Sequence, residues 1–376
     1  MKVAFVIQDL FALGAQYSTA LMIRGFVKQG YTVELVVSAI HKEKEDAGDT
    51  HSFPIPSKVK KIYMPSRRGR GNILFLRKYL MHSGCDIVFA ASLNYTRALG
   101  VAALGLGKNK PKLVHIEHGI AGVRNVVTLK TPRPWHFSWW RRLLIYLPFS
   151  HVLTVCQGGR DNFLRMNSMF PKDRVSVVYN PVIDEVFKEK VCKDSVHPWL
   201  KNKECPTFVA AGAHTELKGH MLLLDAFKKL SETRHVRLVL FGRGDLTDKY
   251  TQFVKDNKLE NVISIAGYTD NFPAEVKSAD ALLVSSRTES FSLVIVEALA
   301  AGTHVISADC DYGPREILRN GKYGRLVKAW DSKAFVEAIS DFIDSNEVSN
   351  PVSKDSWEPF TLEATVNRYV KALNLL

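Results

Sequence analysis

Two successive series of short apolar runs, each separated by longer amphipathic stretches, set the limits on how this 376-residue chain can fold. The first opens with VAFVI at Val3, passes through helical spacing from Ala15 to Lys28, and reaches a second apolar run in YTVELVV from Tyr31. Short buried strands alternating with amphipathic helices predict a parallel sheet covered by helices. More strand-like runs follow at Asp86 to Ala90, Lys112 to Ile116, His151 to Val155 and Val175 to Val178. Beyond an aperiodic, charged stretch from Asn180 to Glu204, a second series begins: PTFVAAG from Pro206, VRLVLFG from Val236, NVISIAG from Asn261, DALLVSS from Asp280 and THVIS from Thr303. The pattern predicts two doubly wound α/β domains, 1–184 and 185–359, with a helical segment at 360–376 crossing back onto the first. Two such domains facing one another would form a central cleft at the carboxyl ends of both sheets, where open α/β sheets bind ligands.

Charge and cysteine content narrow the function classes. Lysine and arginine exceed acidic residues by 13, which favours an anionic partner such as a phospholipid surface or a nucleic acid. The five cysteines are scattered without a Cys-x-x-Cys pair, so neither a disulfide framework nor a zinc site is expected. No apolar run approaches the ~20 residues of a spanning helix, and Met1 leads straight into a strand-like run. A cytoplasmic protein is expected.

The stretch TESFSLVIVEALAAG, Thr288 to Gly302, carries the densest chemistry. It follows the apolar strand DALLVSS and should turn into a helix, leaving the amides near Phe291, Ser292 and Leu293 to meet a phosphate. Glu289 falls in the turn and Glu297 about one helical turn inside. A carboxylate accepts hydrogen bonds from sugar hydroxyls and repels phosphate, so Glu297 suits a ribose diol and Glu289 the hydroxyls of a transferred sugar. Alone, the same residues also describe a buried helix with capping glutamates.

The Glu, seven residues, Glu spacing in this context resembles retaining glycosyltransferases of the GT-B fold, family 4. The similarity runs on through AGTHVIS and GPREILRNGKYGRLV from Gly313. A second match is AGAHTELKGH from Ala211, a turn that in the family presents an arginine and, five positions later, a lysine to the donor diphosphate. Lys218 fits the lysine position, where a cation would neutralise charge on the leaving group. Ala213 stands in the arginine position, with His214 or Arg243 as alternative sources of the missing contact. In the first domain Leu13, Gly14, Ala15 and Gln16 look like the family's glycine turn, with Gly14 near the donor. His118, at the end of KLVHIEHG, matches the histidine that faces the transferred sugar, whereas His115 packs structurally. Tyr268 lies where the nucleotide base is expected. The resemblance implies His118 and Glu289 as catalytic residues, a UDP-sugar as substrate, retention of anomeric configuration, and neither cofactor nor metal. Asp309, Cys310 and Asp311 form an Asp-x-Asp that is read as coincidental, because helix amides and Lys218 already supply positive charge.

The segment from Leu129 to Phe149 sets Trp135, Trp139 and Trp140 among Arg133, Arg141 and Arg142. Such a mix suits the headgroup region of an anionic membrane, and also a partly buried helix with a basic face. The expected partners are a nucleotide-sugar donor, a glycan or lipid-linked acceptor, and the inner face of the cytoplasmic membrane. A nucleic-acid binder lacks a binding motif here. A non-catalytic nucleotide-sugar binder remains as the alternative suggested by Ala213.

Overall fold

A computed structural model describes residues 1–11, 14–48, 53–107, 110–119, 144–345 and 351–375. The tryptophans and arginines of the basic aromatic segment, and Leu13, lie outside the described residues. The chain divides into two compact units, Met1–Pro181 with Leu362–Leu376, and Val182–Thr361.

The first unit is a seven-stranded sheet of β1 (Lys2–Ile7), β2 (Thr32–Val37), β3 (Lys60–Tyr63), β4 (Ile87–Ala90), β5 (Lys112–Glu117), β6 (His151–Thr154) and β7 (Val175–Val177). Its spatial order is β3-β2-β1-β4-β5-β6-β7, and all neighbours run parallel. Helices cover both faces, as continuous apolar strands require. Four of them are α1 (Gly14–Lys28), α2 (Ala39–Asp46), α3 (Ile73–His82) and α4 (Leu93–Ala103). The helix Leu362–Ala372 packs its Val366, Tyr369 and Val370 into this unit's core beside Phe26 and Phe89.

The expected elements differ from the structure at three places. Gly14 opens α1 instead of sitting in a turn ahead of it. The basic stretch from Lys58 contains the edge strand β3, whose charged, exposed residues give no apolar run but suit a sheet margin. The stretch after Asn180 carries short helices at Glu185–Val191 and Pro198–Lys201, the first capped by the Asp184 carboxylate accepting from Phe187 N at 2.9 Å.

The second unit holds β8 (Thr207–Ala211), β9 (Arg237–Phe241), β10 (Ile263–Gly267), β11 (Ala281–Val284), β12 (Thr288–Glu289), β13 (His304–Asp309), β14 (Asp311–Tyr312) and β15 (Arg325–Lys328). Six form a parallel sheet ordered β10-β9-β8-β11-β13-β15; β12 and β14 pair separately. The chain builds outward from β8 to β10 and then crosses back to β11. The strand order thus reverses between β8 and β11, the position at which doubly wound sheets bind ligands. Among the described residues no helix is long and apolar enough to cross a membrane.

Candidate active site

Three loops meet at the carboxyl ends of β8, β9 and β11, on either side of that reversal. The loop after β8 is tied to the loop after β11 by Ser285 Oγ donating to Lys218 O at 2.9 Å and by Arg287 N donating to Leu217 O at 2.8 Å. It is tied to the loop after β9 by His214 N donating to Arg243 O at 3.0 Å. Gly242 (φ +131°) passes so close to this loop that a Cβ there would stand 1.9 Å from Gly212 O. Only glycine allows both the conformation and the approach.

This framework holds Lys218 against Glu289. The ammonium donates to Glu289 Oε1 at 2.5 Å, and Ser286 Oγ donates to the same oxygen at 2.7 Å. The Glu289 side chain is 10% exposed and that of Lys218 30%, so the pair is shielded but reachable. The lysine read as a diphosphate contact and the glutamate read as a sugar contact are therefore partners. Ser286 was not anticipated; its one signal is the pair of small polar residues closing DALLVSS.

Ser292 then turns the chain into the Leu293–Ala301 helix with φ +79° and ψ +82°, a conformation costly for a residue with a Cβ. Its hydroxyl is buried and meets no hydrogen-bond partner among the described residues. No side chain caps this helix and its first turn holds no acid, so the positive end of its dipole remains open to an anion. Phe291 is buried and packs edge-on against Phe360, anchoring the turn from beneath. Glu297 lies on the same helix, and burial pushes its carboxyl up to about 7 against a smaller pull from Lys190. Among the described residues it forms no ion pair or hydrogen bond, which suits a carboxylate whose partners are hydroxyl donors.

Tyr268 follows the edge strand β10, two strands from β8, and is exposed. Arg243 is exposed near Gly267, the last residue of β10. His214 does not replace the missing arginine. It is fully buried, its Nδ1 bonds Thr247 Oγ1 at 2.8 Å, and burial lowers its pKa, so it is a neutral packing residue beside His220 and Tyr250. Asp309 of the Asp-x-Asp is held by the Arg315 guanidinium.

In the first unit, His118 follows β5. Burial drives its pKa down to about 4, so the imidazole is neutral, and the Asn180 side chain lies beside it. His115 is buried and bonds Thr96 Oγ1 at 2.8 Å and Glu117 Oε2 at 3.2 Å, a structural role. Gly14 is exposed at the start of α1.

Comparison with known proteins accounts for both units. Residues 13–186 match Glycosyltransferase Family 4, and residues 193–356 match Glycosyl transferases group 1. The chain is 24% identical over 205 residues to the Campylobacter jejuni N-acetylgalactosamine-N,N'-diacetylbacillosaminyl-diphospho-undecaprenol 4-alpha-N-acetylgalactosaminyltransferase, covering 54% of each chain. It is 28% identical over 197 residues to the Escherichia coli K12 lipopolysaccharide 1,6-galactosyltransferase, covering 51% of this chain and 52% of that one. The chain thus spans about half the length of these curated relatives. Among solved structures, Anabaena Alr3699/HepE in complex with UDP superimposes with a TM-score of 0.78 at 18% identity over 100% of both chains. The same Anabaena protein with UDP-glucose gives 0.76. The fold is GT-B, and the chain belongs to the family 4, group 1 glycosyltransferases.

Proposed function

We propose that the chain is a retaining glycosyltransferase that moves a sugar from a UDP-sugar to a glycan or lipid-linked acceptor during cell-surface polysaccharide synthesis, working at the inner face of the cytoplasmic membrane. The observation that carries the reading is the junction of Lys218, Glu289 and Ser292 at the strand reversal of the second unit, with Glu297 inside the helix that follows. The UDP and UDP-glucose bound by the Anabaena structure, and the lipid-linked and lipopolysaccharide substrates in the relatives' names, support it.

In this reading the ribose diol donates to Glu297, whose deprotonation is favoured by those donors. The diphosphate sits over the amides of Ser292 and Leu293. Lys218, aimed by Glu289, turns to the diphosphate as negative charge builds on the leaving group. Glu289 then accepts from the sugar hydroxyls, and neutral His118 acts as a hydrogen-bond partner of the transferred sugar. The acceptor hydroxyl attacks the anomeric carbon from the face that the diphosphate leaves. The bond to the leaving phosphate oxygen breaks as the new glycosidic bond forms, and a diphosphate oxygen takes the hydroxyl proton. Charge stabilisation comes from the lysine and helix amides, without a metal.

A thermal-shift screen of nucleotide sugars tests the donor assignment, because a ligand that binds only the folded chain raises its melting temperature. UDP and one or more UDP-sugars should shift the wild-type chain, and Glu297→Ala should weaken that shift; no response to any nucleotide would remove the reading. Retention is read from the anomeric configuration of the product, and an inverted product overturns it. Ala213 in the arginine position favours a second reading, a nucleotide-sugar binder without turnover. UDP binding with neither transfer nor donor hydrolysis would select it.

A further inference from the structure

The basic stretch from Lys58 to Arg70 plays no part in the donor site, yet the structure gives it a defined place. After β3 the chain makes a short 3-10 turn, Gly69–Asn72, that enters α3. Buried Asn72 clamps the turn: its Oδ1 accepts from Ser66 N at 2.9 Å, and its Nδ2 donates to Ser66 O at 2.8 Å and Arg68 O at 3.3 Å. The turn lies hard against the start of α4, where a Cβ on Gly69 would stand 2.8 Å from Asn94 O. Farther along α4, a Cβ on Gly100 would stand 2.3 Å from Ile145 O, so the segment at 144–147 packs equally closely.

Between these walls runs a groove of about 920 Å³. Arg67, Arg68, Arg70 and Arg97 line it, and no carboxylate does among the described residues. Glu43 occupies Arg67. The guanidinium groups of Arg68, Arg70 and Arg97 are exposed and make no ion pair among the described residues. The rest of the lining is largely apolar, and Val101, Leu104 and Leu144 are 43%, 38% and 52% exposed. Three uncommitted arginines beside exposed aliphatic side chains in one concave groove match a ligand that is anionic at one end and hydrocarbon at the other. Arginine forks suit phosphate oxygens in particular.

We propose that the groove between the turn at Arg67 to Arg70 and α4 binds the phosphate or diphosphate head of a lipid-linked acceptor, with Arg68, Arg70 and Arg97 on the head and Val101, Leu104 and Leu144 along the first carbons of its chain. This rests on the sugar-transfer reading for the word acceptor; the binding itself is independent of it. A concave site with both kinds of contact selects a single amphiphile, whereas a bilayer surface would be met by a convex face.

The test uses farnesyl diphosphate below its micelle concentration, titrated into the whole chain by calorimetry. Wild-type protein should bind it, and Arg68→Ala/Arg70→Ala/Arg97→Ala should lose at least about a hundredfold in affinity, since each charge-assisted contact is worth about tenfold and the losses multiply. Leu104→Asn, which removes the apolar contact without adding charge, should weaken farnesyl diphosphate about tenfold and leave inorganic pyrophosphate unchanged. The UDP thermal shift should be the same in all of these variants, which verifies their folding. Farnesyl diphosphate bound equally well by the triple variant overturns the proposal. So does pyrophosphate binding as tightly as farnesyl diphosphate, which describes an anion site alone. Sedimentation with vesicles of equal parts phosphatidylglycerol and phosphatidylcholine, without binding of farnesyl diphosphate, assigns the arginines to a bilayer and also overturns it. If UDP fails to shift any form while farnesyl diphosphate binds as stated, sugar transfer falls and the groove stands.

Discussion

The two units are built on the same parallel topology but arrange their polar groups in opposite ways. In the second unit the loops at the head of the sheet are stitched to one another, Lys218 is matched to Glu289, and glycines let backbone meet backbone. In the first unit the groove beside α4 leaves three arginines without an ion pair among the described residues and several aliphatic side chains in solvent. A site satisfied within itself is pre-organised and loses little entropy when a constant ligand binds. A site of uncommitted long side chains adapts, at a larger ordering cost, to a ligand of variable shape. Under the proposed function, the contrast is the one expected between a site for a nucleotide diphosphate and a site for an acceptor.

The sharpest way to break that comparison is to disturb the stitched loops and an equivalent loose position together. Gly242→Ala should cost about 4 kcal/mol, combining a disfavoured positive φ with a backbone collision. Gly30→Ala in the first unit has φ +86° with nothing within 4 Å, and should cost only about 1 kcal/mol. Denaturant midpoints of the two variants measure the difference; equal midpoints would mean that the second unit is no tighter than the first.

A second test uses pH. The Glu297 carboxyl is raised to about 7 from an ordinary 4.5 by burial, so between those values the folded chain keeps a proton that the unfolded chain has lost. Its stabilising contribution is complete below pH 4.5 and declines as pH rises through about 7. The shift corresponds to about 3 kcal/mol, reduced to about 2 because the side chain is partly accessible. UDP affinity should move the other way, rising across the same window as the carboxylate becomes available to the ribose. Both slopes should flatten in Glu297→Gln, which chemical denaturation and UDP titration at pH 6 and pH 8 would reveal. An unaltered UDP slope in the variant would separate Glu297 from the ribose.

Lys218→Met should give a smaller loss of stability, about 1 to 2 kcal/mol, because it leaves the shielded Glu289 with only Ser286. UDP affinity should fall by about tenfold or more, while farnesyl diphosphate binding in the first unit stays unchanged. A parallel loss of both ligands would show that the two regions are not independent.

How far all this was legible in sequence depends on whether the signal is local. The apolar strands of both sheets and the Glu289–Glu297 spacing are contiguous patterns, and they survive reading one residue at a time. The edge strand β3 does not, because Lys60–Tyr63 is short and half charged. Nor does the Lys218–Glu289 pair, which joins residues 71 positions apart, or the groove, which draws Arg68 and Arg97 from different elements. The burial of His214 is equally silent in sequence. Its neighbours in space, His220 and Tyr250, come from two other helices, and without them a histidine beside the empty arginine position reads as a phosphate contact.

The smallest expected effect bears most directly on what the second unit gives up for its site. Ser292 holds φ +79° and ψ +82° and buries a hydroxyl without a partner, each unfavourable by roughly 1 kcal/mol. Glycine would remove both, at the expense of greater freedom in the unfolded chain worth about 0.5 to 1 kcal/mol. Ser292→Gly should therefore be more stable than wild type by about 1 kcal/mol in the absence of ligand. If the hydroxyl is kept because it bonds a phosphate oxygen, the same variant should bind UDP severalfold more weakly, so that its melting temperature leads without UDP and trails at saturating UDP. Such a crossing would mark Ser292 as a residue whose local cost is recovered only on binding. A variant that is more stable under both conditions would show the serine to be a tolerated defect, and the phosphate contact would then belong to the backbone alone.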